Sequence, residues 1–431
     1  MSYVDRLIDP RGILAVATAL ASLVLAAPAT VAPDSPDSSF SGDGRATTDF
    51  GELDLGEDVV VQDDGKIVSL GTNFSSFLVT RHNPGGSLDQ TFAGDGRQAI
   101  GMGFGFGYAL AIQPDGKLVV AGQTQDSRRF AVARLKTNGG LDPRFSGDGR
   151  QTVAFPGYRN NVGAEGVAIA PDGRIVLAGR ADDRLSDFAV ARLNRGGKLD
   201  PTFDGDGRQT LDFDGGGAHS VLVQPNGRTV VVGTANGGTS NSNFALARLT
   251  QGGGLDPTFS GDGRQETNFA GNENDALDVA LQPDGKIVAA GSAITPPAAA
   301  EDFAVARYTA GGAPDSTFSS DGRDAFDFAG GDDEVEALAI APDGKIVLGG
   351  GAESASGPDR FGAARVLPSG VPDPAFSGDG RRLYGFPGFE FAGATGVALQ
   401  RDGQIVLGGT MRDASDDLDL DLALLRLRGG G

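Results

Sequence analysis

The chain has 431 residues, 39% apolar and 22% charged, with a formal net charge of −21 and no cysteine. That composition supports a core and excludes disorder, disulfides, thiol catalysis and Cys-ligated zinc. Its acidity argues against nucleic acid and anionic lipid as partners, and two histidines are too few for most transition-metal sites.

Residues 12–29 are apolar and uncharged, follow Arg6 and Arg11, and end in the small-x-small triplet Ala27-Pro28-Ala29. This predicts a signal peptide over 1–29, with an uncleaved N-terminal anchor as the alternative. The chain is thus expected outside the cell or at its envelope. Residues 30–39 read as a flexible spacer.

From there four short signatures recur, each seven times. The first is GDGR, starting at Gly42, Gly94, Gly147, Gly205, Gly261, Ser320 and Gly378, a mean period of 56 residues, and each copy follows an Asp-x-x-Phe segment. The second is an apolar run ending in a P-D-G turn, whose Asp position is Asp64, Asp115, Asp172, Asn226, Asp284, Asp343 or Asp402. The third follows at once, as in Lys286–Gly291. The fourth is FAVARL, starting at Phe77, Phe130, Phe188, Phe244, Phe303, Phe361 and Leu422.

All four are short β-branched or aromatic runs bounded by Gly, Asp and Pro, too short for stable helices. The Asp-Gly pair fits a hairpin turn, with Gly supplying positive φ. The unit is therefore predicted to be a four-stranded antiparallel meander, with strands A (VAIA), B (RIVLAG), C (FAVARL) and D (GRQTVAF). One such sheet cannot bury both faces. Seven copies predict an all-β fold, a seven-bladed β-propeller over 40–428 with a short tail at 429–431. The repeats begin with a D strand and end after a C strand, so the N-terminal strand is expected to complete the last blade and close the ring. A linear solenoid would leave that strand unpaired.

The unit LDxTFxGDGR…QPDGKIVxxG…DFAVARL resembles the delta-60 repeat, a bacterial family, over about residues 36–427. The resemblance implies a propeller and frequently a secreted or cell-surface protein. It carries no established activity or catalytic residue, so nothing functional transfers. Ser320, Asn226 and Leu422 are mild departures from the pattern.

Spacing locates where function is expected. The turn Asp precedes the last Gly of strand B by 7 residues in every copy, and the first residue of strand C precedes the next GDGR by 17. By contrast, the B–C step runs 6, 8, 9, 11, 12, 11 and 13, and the D–A connection varies as well. In a meander these two variable connections share one edge, and binding usually resides in loops on a rigid scaffold. Six positions before the turn Pro, at the start of strand A, stand Glu57, Tyr108, Glu165, His219, Leu277, Glu336 and Thr395. Two positions later stands a uniform apolar set, such as Val59 and Val167. The contrast marks the first set, with Glu57, Tyr108, Glu165, His219 and Glu336 foremost, as a candidate ligand rim. The plainer alternative is a solvated channel mouth.

Other chemistry is poorly supported. An EF-hand counted from Asp204 would need Glu where Gly215 stands, so GDGR reads as a turn. The run Asp413, Asp416, Asp417, Asp419 and Asp421 is a candidate Ca²⁺ chelator or simply a solvated loop. His82 closes a C strand and reads as structural. No P-loop, nucleophile elbow or tryptophan is present. The expectation is a non-catalytic binding scaffold with no cofactor, using its variable face on an extracellular protein or polysaccharide. An extracellular polysaccharide-acting enzyme and a purely structural envelope protein are the alternatives.

Overall fold

The computed structural model describes residues 32–429, apart from positions 52, 102, 184, 237–240, 270, 272, 296–299, 329, 355–358 and 414–419. The segment read as a signal peptide lies outside the described residues, as do Asp416, Asp417 and Asp419 of the acidic run. Among the described residues the chain is all-β, with 28 strands and no helix long and apolar enough to cross a membrane.

The strands pair in antiparallel fours. In the first, β2 (Leu55–Val61), β3 (Ile67–Thr72), β4 (Phe77–His82) and β5 (Arg97–Ile100) follow chain order across the sheet. They correspond to A, B, C and D. The A strands of the later copies are β6 (Phe104–Ile112), β10 (Asn160–Ile169), β14 (Ala218–Val223), β18 (Asn274–Leu281), β22 (Gly330–Ile340) and β26 (Phe389–Leu399). The second and third sheets are joined by bridges of Gly163 with Gln123 and of Val162 with Arg128.

Burial explains the sequence pattern. Strands B and C are covered on both faces, as in β3 and β4, and so read as unbroken apolar runs. Strand A alternates, with Val59 buried between partly exposed neighbours in β2. Each A strand packs on the next, β2 on β6 and so on to β22 on β26, and β26 packs on β2. Apolar clusters fill the space between adjoining sheets, for example Val176, Phe188, Phe203, Val221 and Val231.

The first and last strands among the described residues meet in one sheet. Strand β1 (Arg45–Thr48) pairs with β28 (Leu420–Leu427), Arg45 opposite Leu425 and Thr48 opposite Leu422. The preceding residues correct the spacer reading. Asp37 donates its backbone N–H to the Arg426 carbonyl at 2.8 Å, Pro36 bridges Leu427, and Phe40 is fully buried. The reason is that Asp37-Ser38-Ser39-Phe40 is itself an Asp-x-x-Phe copy, so it docks as the others do.

That motif has a specific task. The Arg of FAVARL and the Asp of Asp-x-x-Phe form a buried ion pair in every copy. Arg192 donates from Nε to Asp200 at 2.8 Å and from Nη2 to Thr202, lies 4.8 Å from the Phe203 ring centroid, and extends Nη1 to the Gln251 carbonyl of the next repeat. Arg81 with Asp89, Arg248 with Asp256, Arg307 with Asp315 and Arg365 with Asp373 repeat the pairing. Arg134 pairs with Asp142 at 3.1 Å, and Arg426 completes the set with Asp37. Each copy thus ties its own sheet to the following one. The residue after each P-D-G turn joins in: Arg174 reaches Asp200 at 2.8 Å, and Gln404, standing where other copies have Lys or Arg, donates to Asp37 at 2.9 Å.

Candidate functional site

The seven rim positions share a backbone feature that the sequence did not show directly. Strand A pairs with strand B through a register shift in every copy, between Gly56 and Asp58, Gly107 and Ala109, Ala164 and Gly166, Ala218 and Ser220, Ala276 and Asp278, Val335 and Ala337, and Ala394 and Gly396. The skipped residues are Glu57, Tyr108, Glu165, His219, Leu277, Glu336 and Thr395, the whole set picked out by position. A β-bulge leaves one residue out of the ladder and re-aims its side chain. The bulge needs room on strand B, which the last glycine of the B signature provides. A Cβ on Gly179 would stand 1.9 Å from the Gly163 carbonyl oxygen, and one on Gly291 equally near that of Asp275.

The re-aimed side chains act on one another. Glu165 lies 2.6 Å from His219 Nδ1 and accepts a hydrogen bond from Arg180 Nη2 at 3.0 Å. His219 Nε2 lies 3.4 Å from Thr234 Oγ1, whose hydrogen goes to Asp275 at 2.9 Å. With its hydrogen committed, the Thr234 oxygen can accept, so each imidazole nitrogen faces an acceptor. Burial works to raise the Glu165 carboxyl, but His219 and Arg180 outweigh it and bring it down to about 2. It is a carboxylate held between Arg180 and His219.

The other acids lack such partners. Burial, then the charges of Glu336, Asp58 and Glu165, push Glu57 well up. Burial and the neighbouring Glu334, Glu165 and Glu301 push Glu336 up to about 8, and Glu334 rises to about 7 through burial, Glu301 and Asp275. Asp58 also rises to about 7 by burial, although it accepts the backbone N–H of Leu110 in the next repeat and of Val59. Burial, Glu165 and Glu57 likewise raise the Tyr108 phenol. The rim therefore has one internally neutralised sector, Glu165–His219–Arg180, and one of accumulated carboxyl groups.

Sequence reasoning missed a second tier. Eight positions before the turn Pro stand Leu55, Phe106, Gly163, Gly217, Asp275, Glu334 and Gly393, which vary as widely as the rim. Arg180 and Thr234, each just after the B-strand glycine, were missed too. Their signal was the same blade-to-blade variation.

His82 is buried as read, with Nε2 3.2 Å from Thr48 Oγ1, and burial followed by the Arg97 charge lowers it to about 4. The acidic run's Asp421 lies beside Asp49 and Asp54, and the corresponding Asp302, Asp327 and Asp333 form a second group of three carboxylates near enough to share a cation. In the copy just before the second group the same places hold Asn243, Asn268 and Asn274, where Asn268 donates to Asn243 at 2.8 Å. A groove of about 670 Å³ on the uniform edge is lined by Asp172, Arg174, Arg192, Asn226 and Gln251. Its walls repeat from copy to copy and offer no distinctive chemistry.

The raised carboxyls predict a pH dependence. Between pH 5 and 8 the unfolded chain has released these protons while the folded chain still holds them, so raising the pH favours unfolding. Below about 4 the sign reverses, because burial is outweighed at Asp89, Asp200 and Asp256 by Thr hydroxyls, backbone N–H groups and Arg, which hold them below 3.8. Thermal melts of the protein are expected to show falling stability from pH 5 to 8. Glu336→Gln should flatten that fall, and parallel curves for variant and parent would count against the assignment.

The comparisons agree with this architecture. Residues 113–145, 170–203, 224–259, 282–318 and 341–376 each match the model of a family described as a domain of unknown function (DUF5122) beta-propeller. Five of the chain's repeats thus match a β-propeller repeat family. Among solved structures it is similar to a streptogramin B lyase, at 10% identity and a TM-score of 0.50, covering 89% of this chain and 97% of that one. It is also similar to virginiamycin B lyase from Staphylococcus aureus, at 13% identity, a TM-score of 0.47 and coverage of 87% and 98%. A gluconolactonase from Xanthomonas campestris follows at 14% identity, a TM-score of 0.39 and coverage of 90% and 92%. At such identities the likeness concerns the fold alone. No curated protein sequence matches the chain.

Proposed function

We propose that the chain is a seven-bladed propeller of the delta-60 repeat kind, closed by β1, which acts outside the cell as a non-catalytic binding scaffold. The ligand, an envelope polysaccharide or an extracellular protein, is received at the rim on the variable edge. One observation carries this reading: seven otherwise uniform repeats each spend a β-bulge on aiming a side chain, and those side chains differ from copy to copy. Uniform lock residues stabilise the scaffold, and the non-repeating bulge residues give it one distinctive surface. Export rests on the apolar segment at 12–29.

The test is a thermal melt of the purified protein against envelope polysaccharides, Ca²⁺ and EDTA. A ligand that binds only the folded state raises the melting temperature by mass action. A shift with one glycan that is lost in Glu57→Gln and His219→Ala, and kept in Asp172→Asn on the opposite edge, is the expected result. A shift insensitive to all three variants would move the site elsewhere.

One observation favours an enzymatic reading as the second choice. Glu165 and Glu336 are carboxyls driven in opposite directions, the arrangement that separates a base from an acid. Release of product from envelope glycans, abolished by Glu165→Gln or His219→Ala, would establish it.

A further inference from the structure

The rim has an aromatic wall with a polar chemistry beside it. The Tyr108 ring stacks on Phe106, with centroids 6.0 Å apart and planes 3° from parallel. Phe106 in turn meets Phe74 edge to face at 5.0 Å. Phe74 comes from the B–C loop of the neighbouring sheet and is 45% exposed, one of three large apolar side chains so exposed among the described residues. Its φ is +64°, a conformation that a bulky residue adopts at a cost and that points to a demand beyond packing. The wall thus runs from the bulge of β6 to the variable edge.

Round the rim, Tyr108 stands between Glu57 and Glu165 in repeat order, and Glu336 follows Glu57 on the far side of Thr395. Thr395 donates to the Gly56 carbonyl at 3.0 Å, so the β2 and β26 bulges are in direct contact. Glu165 is already neutralised by Arg180 and His219. Glu57 and Glu336 have no such partners: burial and neighbouring carboxyls raise them, so a cation arriving between them is what favours their ionised form. Calcium suits this place badly, because it takes six to eight oxygen ligands and one wall is carbon. A compact, strongly hydrated ammonium would gain little from ring faces. A large, weakly hydrated organic cation matches both surfaces, because ring faces attract it through their quadrupole and carboxylates through charge.

Resting on the reading of the rim as a ligand site, we propose that the sector formed by Phe74, Phe106, Tyr108, Glu57 and Glu336 binds an alkylated ammonium group of the choline type. The apolar N-alkyl shell lies on the Tyr108–Phe106 faces, and the positive charge faces Glu57 and Glu336. The adjoining sector, with its Glu165–His219–Arg180 cluster, is left to contact whatever polar body carries the ammonium group.

The experiment is calorimetric titration of the purified protein with choline, with its neutral carbon isostere 3,3-dimethylbutanol, and with Ca²⁺. The expected result is binding of choline at least about tenfold tighter than of the isostere, since cation–π and charge terms are both lost in the neutral compound. Tyr108→Ala and Glu57→Gln should each weaken choline by about tenfold, and Tyr108→Phe, which keeps the ring, should change it little. Equal binding of choline and isostere, equal loss in Tyr108→Phe and Tyr108→Ala, displacement of choline by Ca²⁺, or no choline binding up to about 10 mM would each overturn the proposal. If choline fails while a neutral glycan still binds in a manner that Glu57→Gln and His219→Ala abolish, the alkylammonium assignment falls and the rim reading stands.

Discussion

Arg248→Ala is expected to destabilise the folded protein by about 3–5 kcal/mol, the cost of leaving one member of a buried ion pair without its partner. Arg248 and Asp256 are 5% and 2% exposed. The guanidinium bonds Asp256 and Thr258 at 2.8 and 2.9 Å, lies 4.8 Å from the Phe259 centroid and reaches the Ala310 carbonyl in the next repeat. After the substitution Asp256 retains Arg228 at 2.8 Å, whose side chain is 39% exposed, so the lower end of the range is favoured. Two consequences separate this role from simple packing. Amide exchange should accelerate in the sheets on both sides of the lost contact, because Arg248 bridges them. The surface pair Arg401–Asp63, 78% and 94% exposed, should tolerate Arg401→Ala at less than about 1 kcal/mol. Equal effects in the two variants, measured by denaturant unfolding, would remove the lock from the account.

The second large effect is expected at the glycine that faces each bulge. Gly179→Ala places a Cβ 1.9 Å from the Gly163 carbonyl oxygen and 2.9 Å from the Ala164 Cα. Both neighbours are backbone, so no side chain can swing aside. Strand A must withdraw from strand B, at about 1–3 kcal/mol for an overpacked site. That withdrawal also re-aims Glu165 and so disturbs its contact with His219 at 2.6 Å. The variant should therefore lose stability and rim-dependent binding together. Gly351→Ala is the matched control: it lies one residue beyond the corresponding glycine of its own repeat, and a Cβ there meets nothing within 4 Å. If Gly179→Ala is as neutral as Gly351→Ala, the bulge is not held by the glycine.

Much of this site could be located, though not built, from the residues alone. The rim set stood out because Glu57, Tyr108 and His219 occupy one offset in copies that otherwise agree. That a bulge causes it was not readable, since a register shift is a relation between two strands and leaves no mark on either one. The second tier escaped because Phe106, Glu334 and Asp275 alternate with glycines at their offset, and a mixed column resembles drift until the partners are seen. The Arg and Asp of the lock were visible as repeated letters in seven copies, yet nothing in the letters showed that the C–D loop folds back to pair them or that the guanidinium also reaches the next sheet. The N-terminal side was mixed: β1 was read correctly as a D strand, but residues 30–39 were assigned to a spacer on their Ser and Pro content although the Asp-x-x-Phe motif begins within them at Asp37.

By itself the sequence determined that the molecule is made of short antiparallel strands in repeated fours, because burial on both faces demands unbroken apolar runs in B and C and the Asp-Gly turns leave no other connection. It determined also which edge would vary, since chain length between fixed strands can change only where loops are free. The tertiary structure alone decided the electrical character of the rim. Glu165 and Glu336 are the same residue type at the same offset, yet one faces Arg180 and His219 and the other faces further carboxyls. Charge depends on which repeats are neighbours and on how deeply water is excluded, and those are properties of the packed sheets.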